Sequence, residues 1–435
     1  RPPRSTLFPY TTLFRSPVVV GAGPAGLCAA WVLARAGLAP VVVDRGADVD
    51  GRIAGWARFS ESRAFHTDAS LVFGEGGAGT FSDGKLTTRR NDPELVNAFF
   101  SWLVRHGAPG DILYRARPHV GSDLLARVLP SIRAELLELG ARFLWRTDVT
   151  GFVRGPDGRL DHLETGAGPL PCTHAFVAPG TSGEALLPAL EAAGCVLSPR
   201  PRQVGVRMEQ PAPVVSRAVY GRHAGLRGLP SAEYQLVLRP GEVRSFCMCP
   251  GGAVVCSAAV DGQLVVNGVS LRARDGAFSN AALIVTLPPA DSWRAAVDAR
   301  VELERRAFAA GGGTWAAPAQ TIASFLRGGT PEIAPTSYRF GATPHDLRAL
   351  LPAPLIDALA AGLRHLPGSL PGVTDGLLLA PETRVSPGWR LERDAAGEAA
   401  PGILALGEGA GWSSGITTSA TDGLRVTLDW VRTRG

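Results

Sequence analysis

Lysine is nearly absent from this sequence: Lys85 is the single lysine among 44 basic residues. In a chain that otherwise uses arginine, a lone ammonium marks a position where a planar guanidinium does not serve. Long apolar runs are missing too. No window offers the roughly 18 uninterrupted apolar residues of a membrane-spanning helix, so no stable membrane insertion is expected. A basic segment followed by an apolar stretch and a small-residue cleavage site, the mark of a secretory signal, is not found. The formal charge is only +5, and the arginines are scattered rather than gathered on one face, which argues against nucleic acid as a partner. The six cysteines (Cys28, Cys172, Cys195, Cys247, Cys249 and Cys256) show no C-x-x-C and no paired spacing. That pattern fits a reducing cytoplasm better than a disulfide scaffold. Neither a Ser-His-Asp constellation nor H-E-x-x-H occurs, and no metal site is expected.

What is present is a globular composition. With 435 residues, 45% apolar and 19% charged, the chain can bury a large core and divides into about two domains. The first sixteen residues, RPPRSTLFPYTTLFRS, have no helical or strand periodicity and resemble translated adapter sequence. A non-native leader over 1–16 is therefore expected.

The organising stretch is Pro17–Asp44. Val18–Val20 is a β-branched run suited to a strand buried on both faces. Gly21, Gly23 and Gly26 then follow the G-x-G-x-x-G spacing: a tight turn, room for a pyrophosphate, and close packing of helix on strand. Pro24 suits the first helical turn and Ala25 follows it. Leu27, Ala30, Val32 and Leu33 form the apolar face, and Gly37 ends the helix. Asp44 closes the second strand, where a carboxylate can accept hydrogen bonds from a ribose. It favours FAD or NAD over NADP. The uncapped N–H groups at such a helix start favour anions by roughly 0.3–1 kcal/mol per charge. The segment predicts a Rossmann-type α/β domain with a bound dinucleotide.

Further along, FGEGGAGTFSDGKL (73–86) packs five glycines into a short window, which suggests backbone pressed against something bulky. A helix is predicted from Asp92-Pro93 through Trp102. A second runs from an N-cap at Ser122 to Gly140, bent or divided by Pro130. Phe143–Trp145, Val149–Val153, Leu160–Glu164 and His174–Ala178 read as strands, the last ending in APG with Gly180 close to the dinucleotide. From about Pro199 to Gly372, frequent short strands predict a mixed or antiparallel sheet. It is followed by a helix around 293–308, a connector GGGTWAAPAQ, and a helical patch from His345 to Leu366. The last segment returns to a strand, a glycine turn and a helix. The expected domains are 17–198 (first part of the dinucleotide domain), 199–372 (substrate or cap domain) and 373–435 (the closing part of the first domain).

With GAGPAGL and DRG, FGEGGAGTFSDGKL, RPHVGSD, APGTSG, SFCMCPGG, PETR and GEGAGWSSGI in view, the chain resembles the uncharacterised FAD-dependent dehydrogenases of the glutathione-reductase-like flavoprotein superfamily. The likeness extends over residues 18–430. It implies a Rossmann-type FAD-binding domain interrupted by an inserted mixed α+β substrate domain, with non-covalent FAD. It further implies Gly21, Gly23 and Gly26 on the pyrophosphate, Asp44 on the adenosine ribose, Arg45 at the adenine end and the backbone of Val149 on adenine. Gly407 and Glu408 match the motif whose acid holds the ribityl chain. Gly415 and Ile416 would bring the final helix under the pyrimidine side of the isoalloxazine. This chain departs from the wider superfamily in carrying Glu408 where Asp is usual and Pro179 where Thr often precedes the glycine.

Several residues are candidates for chemistry. Lys85 can place an ammonium near flavin N5 or a substrate carbonyl, or contact a phosphate. Cys247 and Cys249 in C-x-C would face one side of a strand, as small core residues, a flavin-proximal thiol pair or a partial metal site. Arg384 suits a substrate carboxylate through its fork, with Glu382 nearby. Glu75, Gly76 and Gly77 lie in the glycine-rich window, and Glu75 is a candidate for flavin contact. His119 and Asp123 either shape a helix entrance or act as acid and base. The expected activity is hydride transfer between a small organic substrate and FAD. No second G-x-G-x-x-G opens a βαβ unit, so NAD(P)H is expected only as a transient electron donor, with a redox partner protein as another source. Two other readings stand beside this one: a non-catalytic FAD-binding redox sensor with a Cys247/Cys249 switch, and a flavin reductase of an unsaturated, isoprenoid-like substrate.

Overall fold

The structure is a computed structural model that describes residues 16–88, 92–373 and 375–433. The expected leader therefore lies outside the described residues, apart from Ser16. Val18–Val20 and Val41–Val43 pair in parallel, and Ala175–Val177 lies on the other side of Val18–Val20. Arg142–Leu144 and Ile403–Ala405 extend this parallel core, and Glu398–Ala400 adds an antiparallel edge to complete six strands. The β-branched residues of the first two strands are buried on both faces, as a helix-covered parallel sheet requires. Pro24–Arg35 and the closing helix, Ile416–Arg432, cross in close contact, because a Cβ at Gly423 would lie 2.2 Å from the Ala25 carbonyl oxygen. Between Arg142–Leu144 and Ala175–Val177 the chain makes a three-stranded meander (Val149–Arg154, Leu160–Thr165, Leu170–Pro171). The Rossmann-type architecture read from the sequence is present.

The second layer is a seven-stranded mixed sheet. Its order is Val237–Leu238, Val243–Cys249, Phe278–Leu287, Arg202–Pro211, Leu377–Glu382, Ala317–Thr321, Ala342–Pro344. Only the last pair is parallel. Leu303 and Ala307 of the helix Trp293–Ala310, and Leu355, Leu359 and Leu363 of Ala353–Leu363, pack on this domain's core, while Trp293 packs on that of the first domain.

Three expectations need correction. Leu377–Glu382, assigned from sequence to the closing part of the first domain, sits inside the seven-stranded sheet beside Arg202–Pro211, so the 372/373 boundary is too early. The connector GGGTWAAPAQ contains the buried strand Ala317–Thr321; its small residues and Pro318 hid a fully covered element. The helix Ser122–Glu138 runs through Pro130 undivided, with Gly121 rather than Ser122 as its N-cap. There the stripe Leu125, Val128, Leu129, Ile132 and Leu136 is buried, and its packing outweighs one lost backbone bond. Val49–Ser62 forms a further helix, in a stretch left unassigned from the sequence. Asp48 caps it by accepting from the Gly51 N–H at 2.9 Å.

Candidate functional site

The glycines of the opening crossover divide into two kinds. A Cβ on Gly21 would stand 2.2 Å from the Ala178 carbonyl oxygen, and one on Gly26 only 1.8 Å from that of Gly21. At these two positions the chain itself fills the space. At Gly23 a Cβ would meet only the Gly77 Cα, at 3.8 Å, and at Gly180 and Gly415 nothing lies within 4 Å. Those three positions border open space. Gly23 and Gly415 are also the N-caps of the two crossing helices, and neither helix start has a side-chain cap. Gly77–Gly79 lies between them, with a Gly79 Cβ position 2.9 Å from Ile416 Cγ1. Two helix N-termini with orphan N–H groups thus converge on one glycine-lined gap, a donor set suited to a pyrophosphate.

The acids of this region behave differently from the sequence expectation. Asp44 is buried, and its carboxylate accepts from the backbone N–H groups of Ala22 (2.7 Å), Gly46 (2.8 Å) and Gly74 (2.9 Å). It ties the glycine turn to the 74–80 loop, which leaves little of its acceptor capacity for a ribose. Glu75 was expected at the flavin, but it turns inward: its Oε2 accepts from the Val49 N–H at 2.8 Å and its Oε1 lies 3.2 Å from Arg133 Nε. Burial pushes its carboxyl upward despite these partners. Gly76 donates to the Ala22 carbonyl at 2.8 Å. Arg52, unmarked in the sequence, is buried beneath the loop and donates to the Gly77 carbonyl at 3.0 Å. Arg45 stacks over Phe73 at 4.3 Å, with Asp148 3.6 Å from its Nε. Val149 begins the meander, paired with Thr165. The Gly407 N–H donates to Asp422 at 2.9 Å.

Glu408 sits against Gly415 and Ser414 before the closing helix, and burial pushes its carboxyl up to about 7 in spite of their hydrogen bonds. A raised carboxyl holds its proton more tightly in the folded chain, so its contribution to stability is full below its ordinary 4.5 and lost as pH rises through 7. The flavin-free protein is therefore expected to lose up to about 3 kcal/mol between pH 5 and pH 8 from this group. Urea midpoints measured across that range check this, and Glu408→Gln should flatten the slope.

Where the two domains meet, the chemistry-bearing residues gather. The Leu86 carbonyl accepts from Thr417 Oγ1 at 2.8 Å, which fixes the neighbouring Lys85 beside the first turn of the closing helix. Lys85 lies 2.9 Å from Asp83 and donates to the Met248 carbonyl, in the middle of C-x-C. Burial opposes its charge, but negative charge at the Cys249 and Cys247 sulfurs and at Asp83 outweighs burial and holds the ammonium above its usual range. Asp83 also accepts from Arg274 Nε at 2.9 Å. Buried in the second sheet, Arg207 forms a fork with Glu382, both arms at 2.7 Å. It also donates to the Cys247 carbonyl (3.0 Å), Asn280 (2.9 Å) and Asn267 (2.9 Å). All of its donors are satisfied.

Cys247 and Cys249 are brought together by a break in regular alternation. The register shifts between Phe246 and Cys249, and Cys247 has φ +43. Cys249 donates its S–H to the Cys247 carbonyl at 3.2 Å. Among the described residues no group of three or more His, Cys, Asp or Glu is placed to hold a metal ion. Arg384 does not project toward a free carboxylate. It is buried and bonded to Ser182 (2.8 Å), Glu304 (2.9 Å) and Glu184 (3.3 Å), closing a network with Arg300. His119 bridges to Lys85 and lies 3.3 Å from the Arg272 carbonyl, while Asp123 accepts from the Arg272 N–H at 2.8 Å. Both serve as joints between the domains. Arg207 and Asp83 were missed in the sequence; the D-x-K spacing of Asp83 and Lys85 was the available signal for the second.

Residues 201–385 match a family described as FAD-dependent protein, C-terminal domain-like, and residues 19–78 match an NAD(P)-binding Rossmann-like domain. A protein of Clostridium beijerinckii, described only as uncharacterized, is 35% identical over 426 residues, covering 94% of this chain and 79% of its own. The chain belongs to this family of FAD-dependent proteins. Its cofactor is FAD. Solved structures similar to this family member include L-proline dehydrogenase from P. horikoshii, with TM-score 0.42, 10% identity and 97% and 94% of the two chains covered. CtdE in complex with FAD has TM-score 0.37 and 11% identity over 96% and 84%. Among the described residues no helix of this flavoprotein is long and apolar enough to cross a membrane. The gap between the two uncapped helix starts suits the cofactor: it offers backbone donors, small residues and apolar walls at Pro24 and Ile416.

Proposed function

We propose that this flavoprotein transfers hydride between a small organic substrate and non-covalently bound FAD at the seam of its two domains. When bound, FAD supplies the two-electron chemistry. Gly23, Pro24 and Ala25 hold the pyrophosphate, and Gly180, Gly407 and Glu408 border the ribityl chain. Gly415 and Ile416 present a helix N-terminus to the pyrimidine side, where it stabilises negative charge. Arg45 and Val149 flank the adenine end. Lys85, fixed by Asp83, offers its ammonium to a polarised substrate group and orients it. Any NAD(P)H serves as a transient donor, since only one dinucleotide turn is available.

The observation that carries this reading is the convergence of two uncapped helix starts on the seam where the only lysine meets the C-x-C strand. Anaerobic titration of the purified protein against a metabolite panel tests it, with flavin bleaching as the readout. A colourless protein, or a yellow one that no metabolite bleaches, counts against it. Lys85→Met should keep FAD bound while slowing flavin reduction about tenfold or more. Unchanged stopped-flow reduction would remove Lys85 from the mechanism.

A second reading has its own support. Leu27, Phe99, Trp102, Leu103, Leu125, Leu129, Ile132 and Ile416 line an apolar pocket beside the glycine loop, and an unsaturated, isoprenoid-like substrate is the class that such walls would favour. A lipid found by mass spectrometry in the purified protein would favour it.

A further inference from the structure

The C-x-C strand has more built around it than a core position needs. Cys247 is partly exposed while Cys249 is fully buried. The bulge that joins them holds Cys247 at φ +43, a left-handed conformation that is costly for a residue other than glycine. A Cβ on Gly268 would stand 2.9 Å from Cys249 Sγ and 2.4 Å from an Arg207 amino nitrogen, so that glycine makes room for a thiol beside a guanidinium. Lys85 approaches the same pair from the other domain. Two buried polar groups there have no partner among the described residues: the Asn280 amide nitrogen and the Tyr234 hydroxyl. Asn280 is held by Arg207, and Tyr234 lies within electrostatic reach of Arg207 and Cys249.

We propose that Cys247 and Cys249 are a redox-active dithiol that exchanges an electron pair with the bound FAD, so that the protein stores two electron pairs rather than one. The proposal rests on the placement of FAD given above, which puts the isoalloxazine at the first turn of the closing helix, next to Leu86 and Lys85. In the oxidising direction Cys247 reacts as thiolate and Cys249 as thiol. The S–S bond forms, the Cys249 S–H bond breaks, and its proton leaves with the electron pair. FAD takes up both, the equivalent of a hydride, and becomes the singly anionic reduced flavin. Charge and atoms balance without another reactant, and the reverse step reopens the disulfide. The environment divides the roles. The pairing with the Cys249 side chain lowers the Cys247 thiol, against burial and with help from Lys85 and Arg207, while the pairing with Cys247 and burial raise Cys249.

Anaerobic reductive titration of the FAD-loaded protein with dithionite tests this, combined with acid quench, alkylation and mass spectrometry of the 243–256 region. The air-oxidised protein should take up two electron pairs per flavin, and its unreduced peptide should lack two hydrogen masses and resist alkylation. Cys249→Ser and Cys247→Ser should each take up one pair. Partly reduced wild-type protein should show a long-wavelength thiolate–flavin absorbance that Cys247→Ser abolishes. A yellow protein that takes up one pair, with both cysteines alkylated in every redox state, overturns the dithiol and leaves the FAD reading standing. A colourless protein overturns the FAD reading itself, and the exchange with it.

Discussion

Gly23→Val is expected to give a folded, colourless protein. The backbone at Gly23 is extended, with φ −76 and ψ −177, a conformation that valine adopts readily. Its Cβ would touch only the Gly77 Cα, at 3.8 Å, so the fold accommodates the branch. The space it enters is the approach to the N–H groups at the start of the first helix. FAD affinity should fall by about a hundredfold or more, roughly 3 kcal/mol. Flavin-to-protein absorbance ratios and a circular dichroism spectrum separate loss of cofactor from loss of fold. Gly26→Ala is the contrasting case. Its Cβ would lie 1.8 Å from the Gly21 carbonyl oxygen, so helix and strand must separate and the protein should be insoluble or strongly destabilised. A Gly23→Val protein with full flavin would refute the assignment of the turn.

Arg207→Met should be the most destabilising single change in the second domain. The Arg207 side chain is fully buried, and its fork with Glu382 has both contacts at 2.7 Å. Removing the guanidinium leaves a buried carboxylate alone and strips donors from Asn267, Asn280 and the Cys247 carbonyl. Breaking one side of such a pair costs about 3–5 kcal/mol. Replacing both partners, as Arg207→Met with Glu382→Met, removes the orphaned charge and should recover most of that loss. Urea midpoints of the single and double variants check the prediction. If the double variant is as unstable as the single, the asparagines and the Cys247 carbonyl carry the effect instead of the charge.

The crossover was legible because its signals are local. A β-branched run, three spaced glycines, an apolar helix face and a closing acid all fall within thirty residues, about the length of one βαβ unit. The roles of the acids were not legible. Asp44 stands where spacing places a ribose ligand, yet it accepts three backbone N–H groups. A carboxylate at the end of a buried strand can serve either purpose, and the choice depends on a loop thirty residues away. Glu75 shows the same dependence, because its partners, Val49 and Arg133, belong to two different helices. The strand Ala317–Thr321 was hidden by composition: Ala and Pro carry little strand signal, and only the cover on both faces makes the segment a core element.

By itself the sequence determined that a dinucleotide turn opens the chain, that one ammonium stands alone among guanidiniums, and that two cysteines sit one residue apart. These are properties of spacing and residue type. Only the tertiary structure decided that Lys85 meets those cysteines beside the closing helix, and that Arg384 is tied into a buried ion-pair network. The partners involved come from elements 80 or more residues apart in the chain, and no local periodicity encodes which of them share a seam. Burial completes the distinction, since the same carboxylate or guanidinium is a ligand-binding group in an open cleft and a structural joint once its donors and acceptors are filled from within.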